Sequence, residues 1–490
     1  MWRRHVFVTG LLLALSTAAP RAQAPDRSTP PPAGPAPELS IPPIVERTLS
    51  NGLRVWIVEM HEVPVVQVAL VVHAGSSEDP SGRFGLASMT AAMLDEGAAG
   101  RSALEIADAV DFLGAHLSTG SSYDASAVRL GVPVARLGEA LPILADVALR
   151  PTFPATELSR LTRERLTALL QARDNPGIVA SEALPRLLFG REHRYGTGEA
   201  GTPDALQSLT AGDLTAFHSA YFRPDNASLV VVGDVQADEV TKLLEGAFGS
   251  WRGSGSAKPA TLAEVPQPAT RRVYIIDDPG AAQSEVRIGS IGVPRSTPDY
   301  FPLLVLNTIL GGSFTSRLNQ NLREEHGYAY GAGSGFAMRR FAGPFSAAAG
   351  VQTDKTAEAL REFFNELNGI LEPVPEEELD KARNLLALGL PAGFETTGDL
   401  TARLQEMIVY NLPMDYFSDY VSNLRAVTAG DVARVARKYI RPDQVAVIVV
   451  GDRKVIEPHI RALDLGPVTA LGIDDVLGPA PRIAPNGSAR

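Results

Sequence analysis

Hydrophobic and polar residues alternate along this chain in two ways, one typical of strands and one typical of helices. Leu53–Glu59 (LRVWIVE) and Val65–Gly75 (VVQVALVVHAG) are rich in β-branched residues, as buried or half-buried strands are. Farther along, Ala155–Pro176 and Pro375–Leu390 repeat apolar positions at helical spacing. Strands that are followed along the chain by long amphipathic helices indicate an α+β fold.

The chain contains an internal duplication. Thr210–Asp234 and Thr428–Asp452 align without a gap over 25 positions, of which 12 are identical. Thr210 and Thr428 are predicted helix N-caps, and each is followed by a helix, a Tyr-x-Arg-Pro-Asp turn and a strand that ends in Gly-Asp. The spacing of 218 residues is too long for a solenoid repeat and indicates two homologous domains.

The two ends of the chain differ in composition from the rest. The first residues combine a basic start, an apolar run and a small-residue Ala-Gln-Ala site, which predicts a cleaved signal peptide and a periplasmic or secreted protein; a retained N-terminal anchor is the alternative. Pro- and Gly-rich stretches then mark the spacers. The predicted organisation is a signal peptide at 1–24, a Pro-rich spacer at 25–44, domains at 45–252 and 271–466, a linker at 253–270 and a flexible tail at 467–490.

Charge and cysteine content narrow the class of function. The formal net charge of −11 argues against a nucleic-acid-binding protein and against attraction to an anionic membrane surface. The apolar run at the start is short for a membrane span, so none is expected in the mature chain. The absence of cysteine excludes disulfides, thiolate zinc sites and cysteine nucleophiles.

Phe84–Gly100 (FGLASMTAAMLDEGAAG) is a predicted short helix with an unusual pattern. Its buried stripe comprises Leu86, Met89, Thr90, Met93 and Leu94. The surrounding "GLA", "ML" and "EGA" groups resemble those around the His-x-x-Glu-His helix of the inverzincin, or M16-type, metallopeptidases, which include mitochondrial processing peptidase. The resemblance extends from about residue 45 to about residue 466 and implies two LuxS/MPP-like domains, each a mixed, largely antiparallel sheet covered by helices.

The positions that carry the metal chemistry in this family are substituted here. The resemblance assigns the two histidines and the glutamate of the motif to Ser88, Ala92 and Ala91, and the third ligand to about Ala168. We call these four the metal-ligand positions, although Ala91 stands in place of the glutamate that takes the proton from the metal-bound water and does not bind the metal. Methyl and hydroxyl groups cannot hold Zn²⁺ or take a proton from a metal-bound water. We therefore expect no metal in this chain, although Glu164, one turn from Ala168, and a site built from distant residues stay open.

The second half carries the residues that the family uses opposite the metal. Within Ser316–Phe336 the resemblance identifies Arg323 and Tyr330, seven residues apart, as contacts to the substrate and the transition state. Arg323 can hold a carbonyl or carboxylate, and a Tyr330 hydroxyl can donate to a developing oxyanion. Tyr328 is the alternative tyrosine.

Three glycines follow this pair of residues. Gly331, Gly333 and Gly335 remove side chains from one face of a predicted strand, which suits either an added peptide strand or close packing. Peptide binding is the expectation adopted for them.

The resemblance implies a non-catalytic subunit of a heterodimeric zinc metalloendopeptidase that acts on unfolded peptides. A separate M16-like subunit with the His-x-x-Glu-His motif would hold the zinc, and this chain, inactive alone, would supply Arg323 and Tyr330. One alternative is an inert scaffold or peptide-binding protein with the same fold. The other is hydrolysis by this chain alone through an unrecognised metal site.

Overall fold

Two six-stranded sheets organise the chain, one in each half of the sequence. The computed structural model describes residues 42–253 and 259–483. The strands of the first half are β1 (Val45–Thr48), β2 (Arg54–Glu59), β3 (Val65–Val72), β4 (Gly97–Ala98), β5 (Arg101–Ser102), β6 (His116–Ser121), β7 (Ser126–Pro133) and β8 (Ala227–Gly233). The first sheet has the order β1-β2-β8-β3-β7-β6, with β2 and β8 parallel and the other neighbours antiparallel. The short strands β4 and β5 pair separately.

The second sheet repeats this topology in all but one edge strand. Its strands are β9 (Arg272–Asp277), β10 (Gln283–Ile291), β11 (Ala329–Phe336), β12 (Pro344–Gln352), β13 (Ala446–Gly451) and β14 (Val468–Leu471), in the order β11-β12-β10-β13-β9-β14. The strand that closes each half, β8 or β13, lies between the first two long strands of that half, parallel to one and antiparallel to the other. The predicted α+β fold, with two homologous domains built on mixed, largely antiparallel sheets, is confirmed.

Helices cover both sheets. In the first half they are α1 (Leu86–Ala92), α2 (Ala103–Phe112), α3 (Leu137–Leu149), α4 (Ala155–Ala172), α5 (Pro176–Phe189), α6 (Pro203–Ser208), α7 (Ala211–Tyr221) and α8 (Ala237–Phe248). In the second half they are α9 (Tyr300–Leu310), the single turn α10 (Arg317–Asn319), α11 (Thr356–Gly369), α12 (Glu376–Gly389), α13 (Thr397–Val409), α14 (Tyr420–Ala426), α15 (Ala429–Tyr439), α16 (Arg453–Ala462) and α17 (Ile473–Leu477). A π-helical turn, Gln320–Glu325, follows α10 directly.

One helix from each half packs against the sheet of the other half. Ala183 and Leu184 of α5 share a buried apolar cluster with Ile448 of β13 in the second sheet. In the same way, Leu404 of α13 shares a cluster with Val230 of β8 in the first sheet. Separating the two halves would expose both clusters to water, so this exchange ties the two domains together.

The predicted N-caps of the duplicated unit are confirmed. The hydroxyl of Thr210 accepts a hydrogen bond from the backbone N–H of Asp213 at 3.2 Å, and Thr428 accepts one from Asp431 at 3.1 Å. Each aspartate carboxylate in turn accepts a hydrogen bond from the backbone N–H of its threonine, which completes a capping box. The two copies therefore begin their helices in the same way.

The prediction of a flexible tail from residue 467 is wrong for the part that the structure describes. Val468–Leu471 forms β14, which pairs in parallel with β9 at the sheet edge. The helix α17 follows and buries Val476 in the same apolar cluster as α5. The short apolar runs between the glycines of this stretch supply enough buried surface to hold it on the fold.

Some predictions lie outside the described residues. These are the signal peptide, residues 25–41 of the Pro-rich spacer, residues 254–258 of the linker and residues 484–490. Within the described ranges, no helix is both long enough and apolar enough to cross a membrane.

Candidate functional site

The helix α1 begins with a buried carboxylate at its amino end. Asp79 accepts hydrogen bonds of 2.8 Å from the backbone N–H groups of Gly85 and Ala87. Burial raises the pKa of Asp79 to about 6, against the opposing effect of the Arg194 guanidinium and these two amides. Gly85 has φ +103, and a Cβ there would lie 2.6 Å from the carbonyl oxygen of Ala200. The "GLA" group is therefore explained by the close packing of the start of the helix.

The metal-ligand positions on α1 lie beside its apolar stripe. Met89, Met93 and Leu94 are fully buried in the core of the first half, as predicted. Ser88 and Ala92 are half-buried, and Ala91 is 1% exposed. Their side chains offer neither an imidazole nor a carboxylate, so the residues present on this helix do not fit Zn²⁺.

An arginine from the next long helix contacts α1 at this place. The Nη2 group of Arg165, on α4, donates a hydrogen bond of 2.8 Å to the carbonyl oxygen of Ser88. Burial lowers the pKa of Arg165, and the nearby carboxylate of Asp79 partly offsets that effect. A fixed guanidinium charge on this face of α1 repels a second cation such as a metal ion.

The remaining metal-ligand position and its alternative lie on α4. Ala168 is exposed, and Glu164 pairs with the Nη1 group of Arg160 at 2.8 Å. Within the described ranges, no three His, Cys, Asp or Glu side chains are grouped so that they could hold a metal ion. That this chain holds no zinc stays a prediction, which rests on the residue types at the four metal-ligand positions.

In the second half, the structure brings Arg323 and Tyr330 together. The guanidinium carbon of Arg323 lies 5.2 Å from the centre of the Tyr330 ring and 4.6 Å from that of Phe314. Tyr330 is 87% exposed and Phe314 is 63% exposed, so the three side chains form an open surface group. We call Phe314, Arg323 and Tyr330 the Arg323 cluster. Phe314 was missed by sequence reasoning, although a large aromatic residue in the Gly-rich turn "LGGSF" is a usable signal.

The hydrogen-bonding groups of this cluster face solvent. Arg323 forms an ion pair through its Nε with Glu324 at 3.1 Å. The Tyr330 hydroxyl has no hydrogen-bond partner among residues 42–253 and 259–483. Cation–π contacts to two rings hold the guanidinium plane in place, so a planar donor and a phenol hydroxyl are presented side by side.

Tyr328, the alternative tyrosine, has a different environment. Its ring stacks on His326 at 4.9 Å and packs against the core of the second half. Tyr328 precedes β11, and the pairing of β11 with β12 shifts register between Ala329 and Ala332. Among the two tyrosines, Tyr330 is therefore the one that faces Arg323.

The edge of β11 is partly paired with the chain itself, and the peptide-binding role of Gly331, Gly333 and Gly335 stays a prediction. A Cβ on Gly333 would lie 3.0 Å from the carbonyl oxygen of Gly311, whereas one on Gly335 would meet nothing within 4 Å. The N–H of Ser334 donates to the carbonyl oxygen of Gly311 at 3.1 Å, and the N–H of Ala332 donates to Oδ1 of Asn319 at 3.1 Å. A Cβ on Gly311 would collide with the amide of Ser334. The outward amides of β11 are already paired along this stretch, so a peptide strand cannot add there without displacing residues 311–319.

The two candidate groups stay apart in the fold. The metal-ligand positions belong to helices that cover the first sheet, whereas the Arg323 cluster lies beside β11, an edge strand of the second sheet. No hydrogen bond, ion pair or ring contact joins them within the part of the chain that the structure describes.

Comparisons with known proteins agree with this architecture. The family described as Insulinase (Peptidase family M16) matches residues 54–191, and the Peptidase M16 inactive domain matches residues 208–386. An uncharacterized zinc protease of Streptomyces coelicolor is 25% identical over 425 residues, which cover 84% of this chain and 91% of that protein.

Solved structures show the same fold. The peptidase M16 inactive domain from Pseudomonas fluorescens superposes with a TM-score of 0.76 at 28% identity, and the match covers 83% of this chain and 98% of that one. A protease from Helicobacter pylori gives a TM-score of 0.77 at 22% identity, covering 84% of this chain and 100% of the other. Both matches extend over the two domains.

Proposed function

Because this chain belongs to peptidase family M16, we propose that it is the non-catalytic subunit of a zinc metalloendopeptidase completed by a second polypeptide. The partner would be an M16-like subunit that carries the His-x-x-Glu-His motif and the zinc. This chain would be inactive alone. It would close a chamber over an unfolded peptide and present the Arg323 cluster to it.

One observation carries the proposal. Arg323 and Tyr330 meet on an exposed surface, with the guanidinium held between two rings, while the metal-ligand positions of the same chain offer no ligand. The family resemblance places these two side chains opposite the metal of a catalytic half, and their exposure here leaves both able to contact a substrate held by another subunit.

The chemistry of the two side chains suits peptide hydrolysis. The guanidinium of Arg323 can bind a backbone carbonyl or a carboxylate through two parallel N–H donors, and it stays charged at any relevant pH. The hydroxyl of Tyr330 can donate to a carbonyl oxygen as negative charge develops on it. Both groups would act on the peptide, and neither would take up a metal.

The proposed place of action is outside the cytoplasm. The basic and apolar start of the sequence supports export, and the absence of cysteine means that folding there requires no disulfide. The partner subunit would then have to be exported as well.

The test is cleavage of a quenched fluorescent peptide by this chain alone and after mixing with a zinc-bearing M16-like subunit from the same cell. We expect no cleavage alone and cleavage on mixing that saturates at equal amounts of the two chains. No cleavage in either case would favour an inert scaffold. Cleavage by this chain alone, abolished by a chelator, would contradict the proposal.

A matched pair of variants tests the assigned roles. Tyr330→Phe removes only the hydroxyl of the cluster, and Tyr328→Phe removes the hydroxyl of the neighbouring tyrosine that packs against the core. We expect Tyr330→Phe to lower the turnover of the mixed subunits about a hundredfold without loss of assembly, as removing an oxyanion donor does. Tyr328→Phe should leave turnover unchanged. Equal turnover in both variants would remove the proposed role of Tyr330.

A further inference from the structure

A cavity of about 240 Å³ lies in the second half, between α9, α11, α12 and the segment around α10. Ile309 of α9 and Leu385 of α12 are apolar residues of its lining. The segment Ser313–Glu325 contributes much of the remaining wall. Because this segment also carries Arg323, the cavity and the Arg323 cluster share one piece of backbone.

The lining has more acidic than basic groups. Glu325, Glu366 and Glu378 line the cavity, together with Arg317 and Lys381. Arg317 forms an ion pair with Glu378, since its Nε lies 2.8 Å from the Oε2 of that residue. Lys381 lies on the exposed side of α12 and forms no ion pair within the described ranges. The two remaining carboxylates therefore face a single unpaired cation.

A buried amide holds one of these carboxylates in place. Asn321 is 8% exposed, and its Nδ2 donates to Glu366 at 2.8 Å and to Glu362 at 3.2 Å. Glu366 is therefore positioned by the π-helical turn that also carries Arg323.

From this lining we propose that the cavity binds an alkylammonium or alkylguanidinium group. The alkyl chain would lie against Ile309 and Leu385. The charged end would donate hydrogen bonds to Glu325 and Glu366. A carboxylate ligand would have to approach these two glutamates, and a purely apolar one would offer them no hydrogen-bond donor.

Two sources can supply this chemistry, the lysine or arginine side chain of a peptide and a free diamine. The peptide source rests on the proposed function, and Asn321 and Glu325 favour it because they flank Arg323 on the same π-helical turn. A peptide held at the Arg323 cluster would then place a basic side chain in the cavity. A free diamine would fill the same site without contact with the cluster.

The experiment is calorimetric titration of the full chain, without any partner, with N-acetyl-lysine methylamide and with its neutral counterpart, N-acetyl-norleucine methylamide. We expect the lysine compound to bind and the norleucine compound to bind at least about tenfold more weakly, because only the former carries the charged donor. Glu366→Gln should weaken binding of the lysine compound at least about fivefold. Equal binding of the two compounds would overturn the proposal.

A matched variant and a second probe complete the test. Glu372→Gln makes the same change of charge on an exposed residue outside the lining and should leave the affinity unchanged. If Glu366→Gln behaves like Glu372→Gln, the assigned site is wrong. Cadaverine distinguishes the sources, since a peptide site binds the lysine compound more tightly and a diamine site binds cadaverine more tightly. None of these titrations depends on a zinc subunit, so their failure and that of the proposed function are separate results.

Discussion

The guanidinium of Arg165 donates a hydrogen bond of 2.8 Å to the carbonyl oxygen of Ser88, which joins α4 to the helix that carries three of the metal-ligand positions. In this chain the contact between the two helices is therefore made by a cation of the protein itself. The arrangement packs the helices and at the same time opposes a metal ion, because both would place positive charge at one face of α1.

This relationship predicts how difficult the metal site is to restore. In a variant with Ser88→His, Ala92→His and Ala168→Glu, we expect weak zinc binding as long as Arg165 is present. Adding Arg165→Leu should raise the affinity for Zn²⁺ about tenfold or more, because a nearby positive charge is removed. The measurement is zinc affinity by competition with a chromogenic chelator.

The control for this prediction is Arg163→Leu, an exposed arginine two residues away on the same helix. It should leave the zinc affinity of the restored variant unchanged. Tight zinc binding with Arg165 intact would show that the guanidinium does not oppose the metal.

A second prediction concerns Phe314. Phe314→Ala removes one of the two rings that hold the guanidinium of Arg323, and leaves Tyr330 in place. We expect kcat/KM of the mixed subunits to fall about two- to fivefold, since one exposed cation–π contact is lost. Phe112→Ala is the matched control, because that ring is 80% exposed and lies 5.4 Å from the Arg136 guanidinium in the first half. A fall of the same size in both variants would contradict a specific role for Phe314.

Local signals in the sequence were sufficient for the duplication, and together with the family resemblance they identified Arg323 and Tyr330 but not Phe314. Thr210 and Thr428 cap their helices through residues three positions away, so the capping boxes are readable within a few residues. Arg323 and Tyr330 are close along the chain, and a turn between a short helix and a strand brings them together. The resemblance to a known family assigned roles to both of them, and a bare spacing of seven residues would not have done so.

Contacts between distant segments were not predictable in the same way. The exchange of α5 and α13 between the halves depends on which of two equivalent sheets each helix covers, and its apolar stripe fits either. The hydrogen bonds from the β11 edge to Gly311 and Asn319 depend on the path of a loop. For this reason a free strand edge was expected beside these glycines, whereas the amides of Ala332 and Ser334 are already paired with Asn319 and Gly311.

A third prediction tests the contact between the two halves. Arg340 of the second half pairs with Glu78 of the first at 2.5 Å, and the Glu78 side chain is only 1% exposed. Arg340→Met leaves a buried carboxylate without its counter-ion, so we expect the free energy of unfolding to fall by about 3 kcal/mol. Denaturant unfolding followed by circular dichroism measures this. Adding Glu78→Gln to Arg340→Met should recover part of the loss.

The exposed pair Lys355 and Glu358, separated by 3.8 Å, is the control for this prediction. Lys355→Met should change the free energy of unfolding by less than about 1 kcal/mol, as surface ion pairs do. A similarly small effect of Arg340→Met would mean that the Arg340–Glu78 pair contributes little to holding the two halves together.

The last prediction is a pH dependence centred on Asp299. Burial acts to raise the pKa of this carboxyl group, but hydrogen bonds from Tyr439, Lys438 and Arg434 outweigh it and lower the pKa from 3.8 to about 2. Since the folded pKa lies below the unfolded one, the carboxylate stabilises the fold above about pH 4, and this stabilisation is lost as the pH falls toward 2. Asp299 is 5% exposed, so the difference corresponds to about 2 kcal/mol.

We therefore expect Asp299→Asn to be less stable than the natural chain at pH 6 and to lose less stability between pH 4 and pH 2. Asp443→Asn, at a carboxylate that is 94% exposed and 3.9 Å from Arg271, is the control and should follow the natural chain at every pH. The measurement is the denaturant midpoint as a function of pH. If Asp299→Asn lost stability with acid as steeply as the natural chain does, the hydrogen bonds from α15 would not be the origin of its acid sensitivity.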